Sequence, residues 1–279
     1  MMPSRVENTP ELDEETRRSR LKRLQIVLPV VVAIASVAAW EFLVRYYEVP
    51  HYFIPAPTKI WEALVSNWRD LGQALLVTMK FTFYALFFAV LSGVLLAMVF
   101  ALSRWIEFSL FPYVVTLQVT PIVAIAPLIM IYAPSSTVAV IICAWLVAFF
   151  PILSSTVIGL RSTDHNLQDL FTLYGANRWQ RLRYLLAPSA LPYFMSGLKI
   201  AGGLSLIGAV VAEFVAGAAG SQTGLATRIL EASFRSEIPR MFAALVLNSL
   251  CGVAIFLFFS WLSKKVLGHW HESEIKRDI

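Results

Sequence analysis

Apolar positions in this chain fall into long unbroken blocks. They show neither the period-two alternation of a half-buried strand nor the single stripe of a soluble helix. Blocks at 24–44, 75–102, 109–133, 137–160, 193–219 and 241–263 are each long enough to cross a bilayer as a helix, which takes ~20 residues. Positions 108–160 carry no charge, which is too long a run for one crossing, so the chain must turn inside it. Ala133-Pro134-Ser135-Ser136 is the predicted turn, because proline and serine together break a helix. Pro112, Pro121 and Pro127 predict that the third span is kinked or preceded by a short separate helix. Such prolines are tolerable in lipid only where neighbouring helices satisfy the freed carbonyls, which places this segment against protein. Pro29 stands near the predicted start of the first span, where proline is tolerated.

Shorter elements fill the gaps. Pro55 and Pro57 force an extended stretch. Thr58 is then the expected cap of a short amphipathic helix carrying Ile60, Trp61, Leu64, Val65 and Trp68. A second short helix is expected at 225–234, after a loop with Gly217, Gly220 and Gly224. Gly197, Gly202, Gly203 and Gly208 in the fifth span favour close helix packing. The longest internal polar interruption is 161–191. A short helix from Gln168 is predicted to end at Gly175 in a left-handed C-cap. A second helix from Arg178 to Leu186 follows, before Pro188 and Pro192 break the pattern. Helix, glycine turn and basic helix together predict a rigid knob.

Composition narrows the class. The chain is 58 % hydrophobic and 15 % charged, against ~45–50 % and ~25 % in soluble domains. A soluble enzyme and a disordered protein are both excluded on these terms. The reading is an all-α membrane protein of about six transmembrane helices, with both termini on one side. Charge gives the orientation. Fifteen basic residues fall on the side of the termini and six on the other. The positive-inside rule therefore predicts cytoplasmic termini, a cytoplasmic charged tail at 1–23, a cytoplasmic loop at 161–191 and a cytoplasmic tail at 268–279. The membrane-spanning body is 24–267. Cys143 and Cys251 sit in apolar runs and read as small core residues, with no disulfide framework. The basic residues flank the spans, which points to membrane topology and not to nucleic acid.

Candidate chemistry is sparse. GxxxxGK[ST], HExxH, paired CxxC and GxSxG are all absent, so neither phosphate binding, metal chemistry nor serine catalysis is expected in this chain. Glu213, deep in the fifth span, is the sharpest single residue, with Glu41 similarly placed in the first. A carboxylate at membrane depth faces protein or water. It serves either as a pathway or gate residue or as a hydrogen-bond partner of a neighbouring helix. A secondary transporter or channel, with these carboxylates carrying coupling ions, is the alternative reading. It would bring inverted repeats, and the two halves of the chain show no internal similarity.

The 161–191 loop resembles the EAA loop of permease subunits of binding-protein-dependent ABC importers. Asp169 stands at the Glu position, Gly175 follows at the required spacing, and Leu185 and Pro188 occupy the final Ile and Pro positions. Leu170 and Phe171 replace the two alanines, and Ala187 replaces the leucine. PIVAIAPL at 121–128, FFPILSSTVIGL at 149–160, ALPYFMSGLKIA at 190–201, VVAEF at 210–214 and IPAPTKIWEAL at 54–64 are similar to the nitrate/sulfonate/taurine-type branch. The branch's aromatic–glycine pair after the third span is replaced here by Ile131-Tyr132-Ala133-Pro134. The resemblance implies a type I importer permease of the inner membrane, multi-pass, without cofactor or metal of its own. It implies two copies of an ATP-binding subunit that hold ATP-Mg, an extracytoplasmic solute-binding protein and a second permease copy as a homodimer. The coupling loop would use Asp169, Leu173, Gly175, Ala176, Arg178 and Pro188. The solute would be an organic anion such as a sulfonate or a heteroaromatic vitamin precursor. The few cations within the spans tilt this toward the heteroaromatic.

Overall fold

A computed structural model describes residues 10–217 and 223–268. Residues 1–9 of the expected tail at 1–23, residues 269–279 of the tail at 268–279 and the end of the fifth span at 218–219 lie outside the described residues. Described residues are helical or in turns, in the order α1 (Pro10–Tyr46), α2 (Pro57–Ser66), α3 (Trp68–Leu102), α4 (Arg104–Val119), α5 (Ile122–Tyr132), α6 (Ser136–Arg161), α7 (His165–Leu173), α8 (Arg178–Arg181), α9 (Ala187–Ala216), α10 (Leu225–Phe234) and α11 (Ile238–Leu267). By length and composition five helices can cross a membrane, or six if α4 and α5 form one bent span.

The core is built by α3, α6 and α9. Their buried positions recur every three or four residues, as in Leu71, Ala74, Thr78, Phe81, Ala85, Ala89, Gly93, Ala97 and Phe100 on α3. That is the period of one helix face. Small residues bring the axes together. A β-carbon on Gly208 would meet the Ala144 backbone at 2.8 Å, and one on Gly197 would meet the Pro151 carbonyl at 2.8 Å. Between α6 and α9 the closeness is therefore backbone against backbone, as expected where lipid supplies no hydrophobic drive. Gly197→Leu is expected to destabilise the purified protein by ~1–3 kcal/mol, the usual overpacking cost. Thermal unfolding in detergent checks this, and an unchanged midpoint would contradict it.

Several expectations shift. Helix α1 begins at Pro10, so part of the charged segment is helical and Pro29 lies in the helix interior. Thr58 does not cap α2. The N-cap is Ala56, which has no side-chain acceptor, and Pro57 opens the helix. Trp68 belongs to α3. The break expected from the prolines is present, with the third span formed by two helices, α4 and α5, at 101°. Thr120 and Pro121 between them are extended, because a residue before proline avoids the helical region. Pro188 and Pro192 do not stop a helix. Leu182–Leu186 forms a single π-helical turn, and α9 runs on from Ala187 through both prolines. In this wide turn the Ala187 N–H donates to the Leu182 carbonyl, five residues back, just ahead of Pro188. The turn before α6 is as predicted, and Ser135 caps the helix by accepting from the Val138 N–H at 3.3 Å.

The bundle has two unlike ends. α7, α8 and the π turn lie where α3 and α6 finish, and Arg178 reaches the Leu102 carbonyl at 3.5 Å. At the opposite end α2 and α10 share an apolar cluster with α3 and α11, through Ile60, Leu71, Leu225, Ile229, Ala244 and Leu247.

Candidate docking knob and buried carboxylate clamps

The knob is held by local hydrogen bonds. Asp164 caps α7 by accepting from the Asn166 N–H at 2.9 Å. Gly175 takes φ of +68°, the left-handed conformation that a helix C-terminus asks of glycine. The Gly175 N–H then donates to the Thr172 carbonyl and the Ala176 N–H to the Phe171 carbonyl, at 3.0 and 2.9 Å. Asn177 and Gln180 form a reciprocal capping box that starts α8. Every joint of the knob is thus tied. Its tip is apolar and bare, with Leu173 85 % and Tyr174 83 % exposed and Leu170 and Trp179 also in the open. Asp169, Arg178 and Pro188 are exposed, and Ala176 is half-buried. Exposed apolar residues on a rigid polar rim are the make-up of an interaction surface.

The two in-span carboxylates do the same job at different places. Glu213 is 2 % exposed. Its Oε2 accepts from the Ala226 N–H at 3.0 Å and its Oε1 from the Thr78 hydroxyl at 2.8 Å. The Thr78 oxygen in turn accepts from the Leu225 N–H at 2.9 Å. Helix α10 starts at Gly224, which has no side chain to cap with, so Glu213 and Thr78 supply the acceptors its first turn lacks. A carboxylate also suits the positive end of a helix. Any β-carbon at Gly224 would fall on the Glu213 carboxylate and the Thr78 hydroxyl. Glu41 repeats the arrangement for α2. Its Oε2 accepts from the Thr58 N–H at 3.0 Å, and its Oε1 takes the Thr58 hydroxyl at 2.9 Å and Arg45 at 2.5 Å. Each long helix thereby clamps a short one at the same end of the bundle. Glu213 thus makes the hydrogen bonds to neighbouring helices that are one of the two roles the sequence leaves open for it.

Two further features escape the sequence reading. Glu107, at the head of α4, is 6 % exposed and pairs with Arg161 at the end of α6. At the other end of α4, the elbow with α5 borders a cleft of about 340 Å³ with Gln118, Thr120, Phe150, Pro151 and Leu204 in its wall.

Residues 85–268 match the family described as the binding-protein-dependent transport system inner membrane component. The chain belongs to this family.

It is accordingly a multi-pass inner-membrane permease subunit of an ABC importer, a transport subunit and not an enzyme. Membership brings an ATPase and a solute-binding protein as partners. A probable ABC transporter permease protein of Haemophilus influenzae is 31 % identical over 86 % of this chain and 96 % of its own. The riboflavin transport system permease protein RibX of Chloroflexus aurantiacus is 33 % identical, over 88 % and 90 %. More distant permeases are named for formylaminopyrimidine, aliphatic sulfonates, taurine and nitrate, which fits the nitrate/sulfonate/taurine-type branch. The fold is shared with a solved amino acid ABC transporter at TM-score 0.59 and 17 % identity, over 72 % of this chain and 96 % of that one. The EAA loop is a feature of the permease family.

The knob and Glu213 were legible as single features. Their partners were not. Thr78 is 135 residues from Glu213, and nothing near it in sequence marks it as a clamp. Glu107 carries one usable signal, a carboxylate in the first turn of a mostly apolar helix.

Proposed function

We propose that this permease subunit forms the pathway for a small heteroaromatic solute and is driven through the knob at 161–191. The observation that carries the coupling role is the knob itself, a rigid element that offers bare Leu173 and Tyr174 to a partner. Asp169, Leu173, Gly175, Ala176, Arg178 and Pro188 belong to this docking loop, and a groove of the partner ATPase receives it. Two copies of this chain pair, each with one ATPase, and the basic-residue bias places the knob and both termini in the cytoplasm. ATP-driven approach of the two ATPases moves the knobs and switches the spans between inward- and outward-facing arrangements. The solute-binding protein delivers at the other end, where α2 and α10 lie. Glu213 and Glu41 serve this reading as clamps that keep those two short helices in place. Two observations support the solute class. The relatives named for riboflavin and formylaminopyrimidine are 33 % and 29 % identical, against 25 % and 22 % for those named for taurine and nitrate. The elbow cleft has apolar and aromatic walls with one amide, and its volume is within the ~300–1,000 Å³ of small-molecule sites.

The test is reconstitution of the permease with its cognate ATPase and solute-binding protein. Riboflavin, a formylaminopyrimidine, taurine and nitrate are added in turn while ATP hydrolysis is followed. Stimulation by the ring compounds alone is expected. Stimulation by taurine or nitrate alone would overturn the solute class, and hydrolysis indifferent to the binding protein would overturn the importer mechanism.

A further inference from the structure

Helix α4 is loosely held. Of its sixteen residues only Glu107 and Val114 are buried, and most of the rest are open. It runs ~24 Å at 1.5 Å per residue. At its far end is the elbow at Thr120–Pro121 and the cleft that Gln118 borders. Its head is fastened by the Glu107–Arg161 ion pair. Glu107 is the sealed partner, with its side chain 8 % exposed, and Arg161 is the open one at 62 %. Arg161 is the last residue of α6, and three residues later Asp164 caps α7, the body of the knob. The pair therefore joins the root of the docking loop to the head of the helix that ends at the cleft. A cleft of about 540 Å³ lies around it, with Arg104, His165 and Gln168 also in its wall. Space on that side leaves the junction room to move while the ion pair keeps its ends together.

We propose that Glu107 and Arg161 are a positioning pair that carries movement of the docking knob to the α4–α5 elbow. The proposal rests on the importer reading above. Packing alone gives the knob little hold on α4. A buried carboxylate resists separation from its guanidinium, because a lone buried charge is strongly disfavoured. A strut of this kind transmits displacement between two discrete arrangements without touching solute or ATP.

The experiment uses the whole complex with ATPase and binding protein, in a C143A/C251A chain carrying Q118C as a reporter at the elbow. The rate of its labelling by a water-soluble maleimide is measured without nucleotide and after trapping with ATP and vanadate. With the native pair the rate is expected to change about fivefold or more, the lower range of coupling between distant sites. In R161Q the nucleotide-dependent change is expected to vanish while the ATPase still co-purifies. In R161K, which keeps the charge and loses the planar fork, it is expected to be partial. A pair that only stabilises the fold would lower the unfolding temperature of R161Q and leave the change in place. That outcome overturns the proposal and spares the importer reading. Absence of any change with the native pair overturns the proposal as well, and the importer reading is then judged by whether the binding protein still stimulates ATP hydrolysis. Should R161Q fail to assemble, R161K decides in its place, and a full native response there overturns the proposal.

Discussion

Gly175→Pro is expected to abolish ATP-driven uptake while leaving the chain inserted in the membrane. Proline fixes φ near −65°, and Gly175 sits at +68°. Proline also removes the N–H that donates to the Thr172 carbonyl. A mismatch of this kind costs about 3 kcal/mol or more, roughly a hundredfold in the population of the native turn. No heavy atom lies within 4 Å of a β-carbon added at Gly175, so the whole effect comes from the backbone. Gly175→Ala then serves as the graded control, since one left-handed residue costs an ordinary side chain only ~1–2 kcal/mol. The measurement is co-purification of the ATPase together with uptake into vesicles. The expected order is native, alanine, proline. A proline variant that retains its ATPase and transports normally would remove the knob from the coupling role. Charge reversal at the exposed Arg178 is expected to weaken docking as well, without disturbing the turn.

The second large effect is at the clamp of α10. Glu213→Ala leaves the Ala226 N–H and the Thr78 hydroxyl without their acceptors, in a place 2 % open to solvent. Each buried donor left unpaired costs ~1–3 kcal/mol, so a loss of ~2–5 kcal/mol is expected in thermal unfolding of the detergent-purified chain. Glu213→Gln keeps one acceptor oxygen and is expected to lose about half as much. Gly224→Val attacks the same contact from the other side, because its side chain would occupy the space of the carboxylate and the Thr78 hydroxyl. The two losses are therefore expected to be strongly less than additive in the double variant. Simple additivity would show that Glu213 and Gly224 act apart, and the clamp would be refuted. Glu41→Ala is expected to do less. Its partners at Thr58 and Arg45 are exposed, and water can replace the lost acceptor.

Both carboxylates illustrate how far a sequence can be read. A charged residue in an apolar block marks itself, and the requirement that it meet protein or water follows from solvation alone. What it meets does not. Glu213, on α9, finds Thr78 on α3 and the first turn of α10 because the three helices converge, and Thr78 is 135 residues away in the chain. The prolines show the converse. Pro134 with Ser135 ends a helix as expected, since no neighbouring turn compensates. Pro188 and Pro192 do not: Pro188 falls in the first turn of α9 just after a π turn, and the helix runs on through Pro192. Pro121 bends the third span through 101°, a choice that proline chemistry allows between a kink and a break and that the packing of α5 against α6 and α9 settles.

By itself, then, the sequence determined the apolar blocks, the turns between them, the two short helices and the left-handed glycine that ends the first helix of the knob. All of these follow from the chemistry of a few adjacent residues and their preference for lipid or water. Only the tertiary structure decided that Glu213 and Glu41 hold short helices, that Gly224 must lack a side chain, and that Glu107 ties the loop to α4. Buried polar groups take whichever partner packing brings within hydrogen-bond reach, and that partner can stand anywhere in the chain.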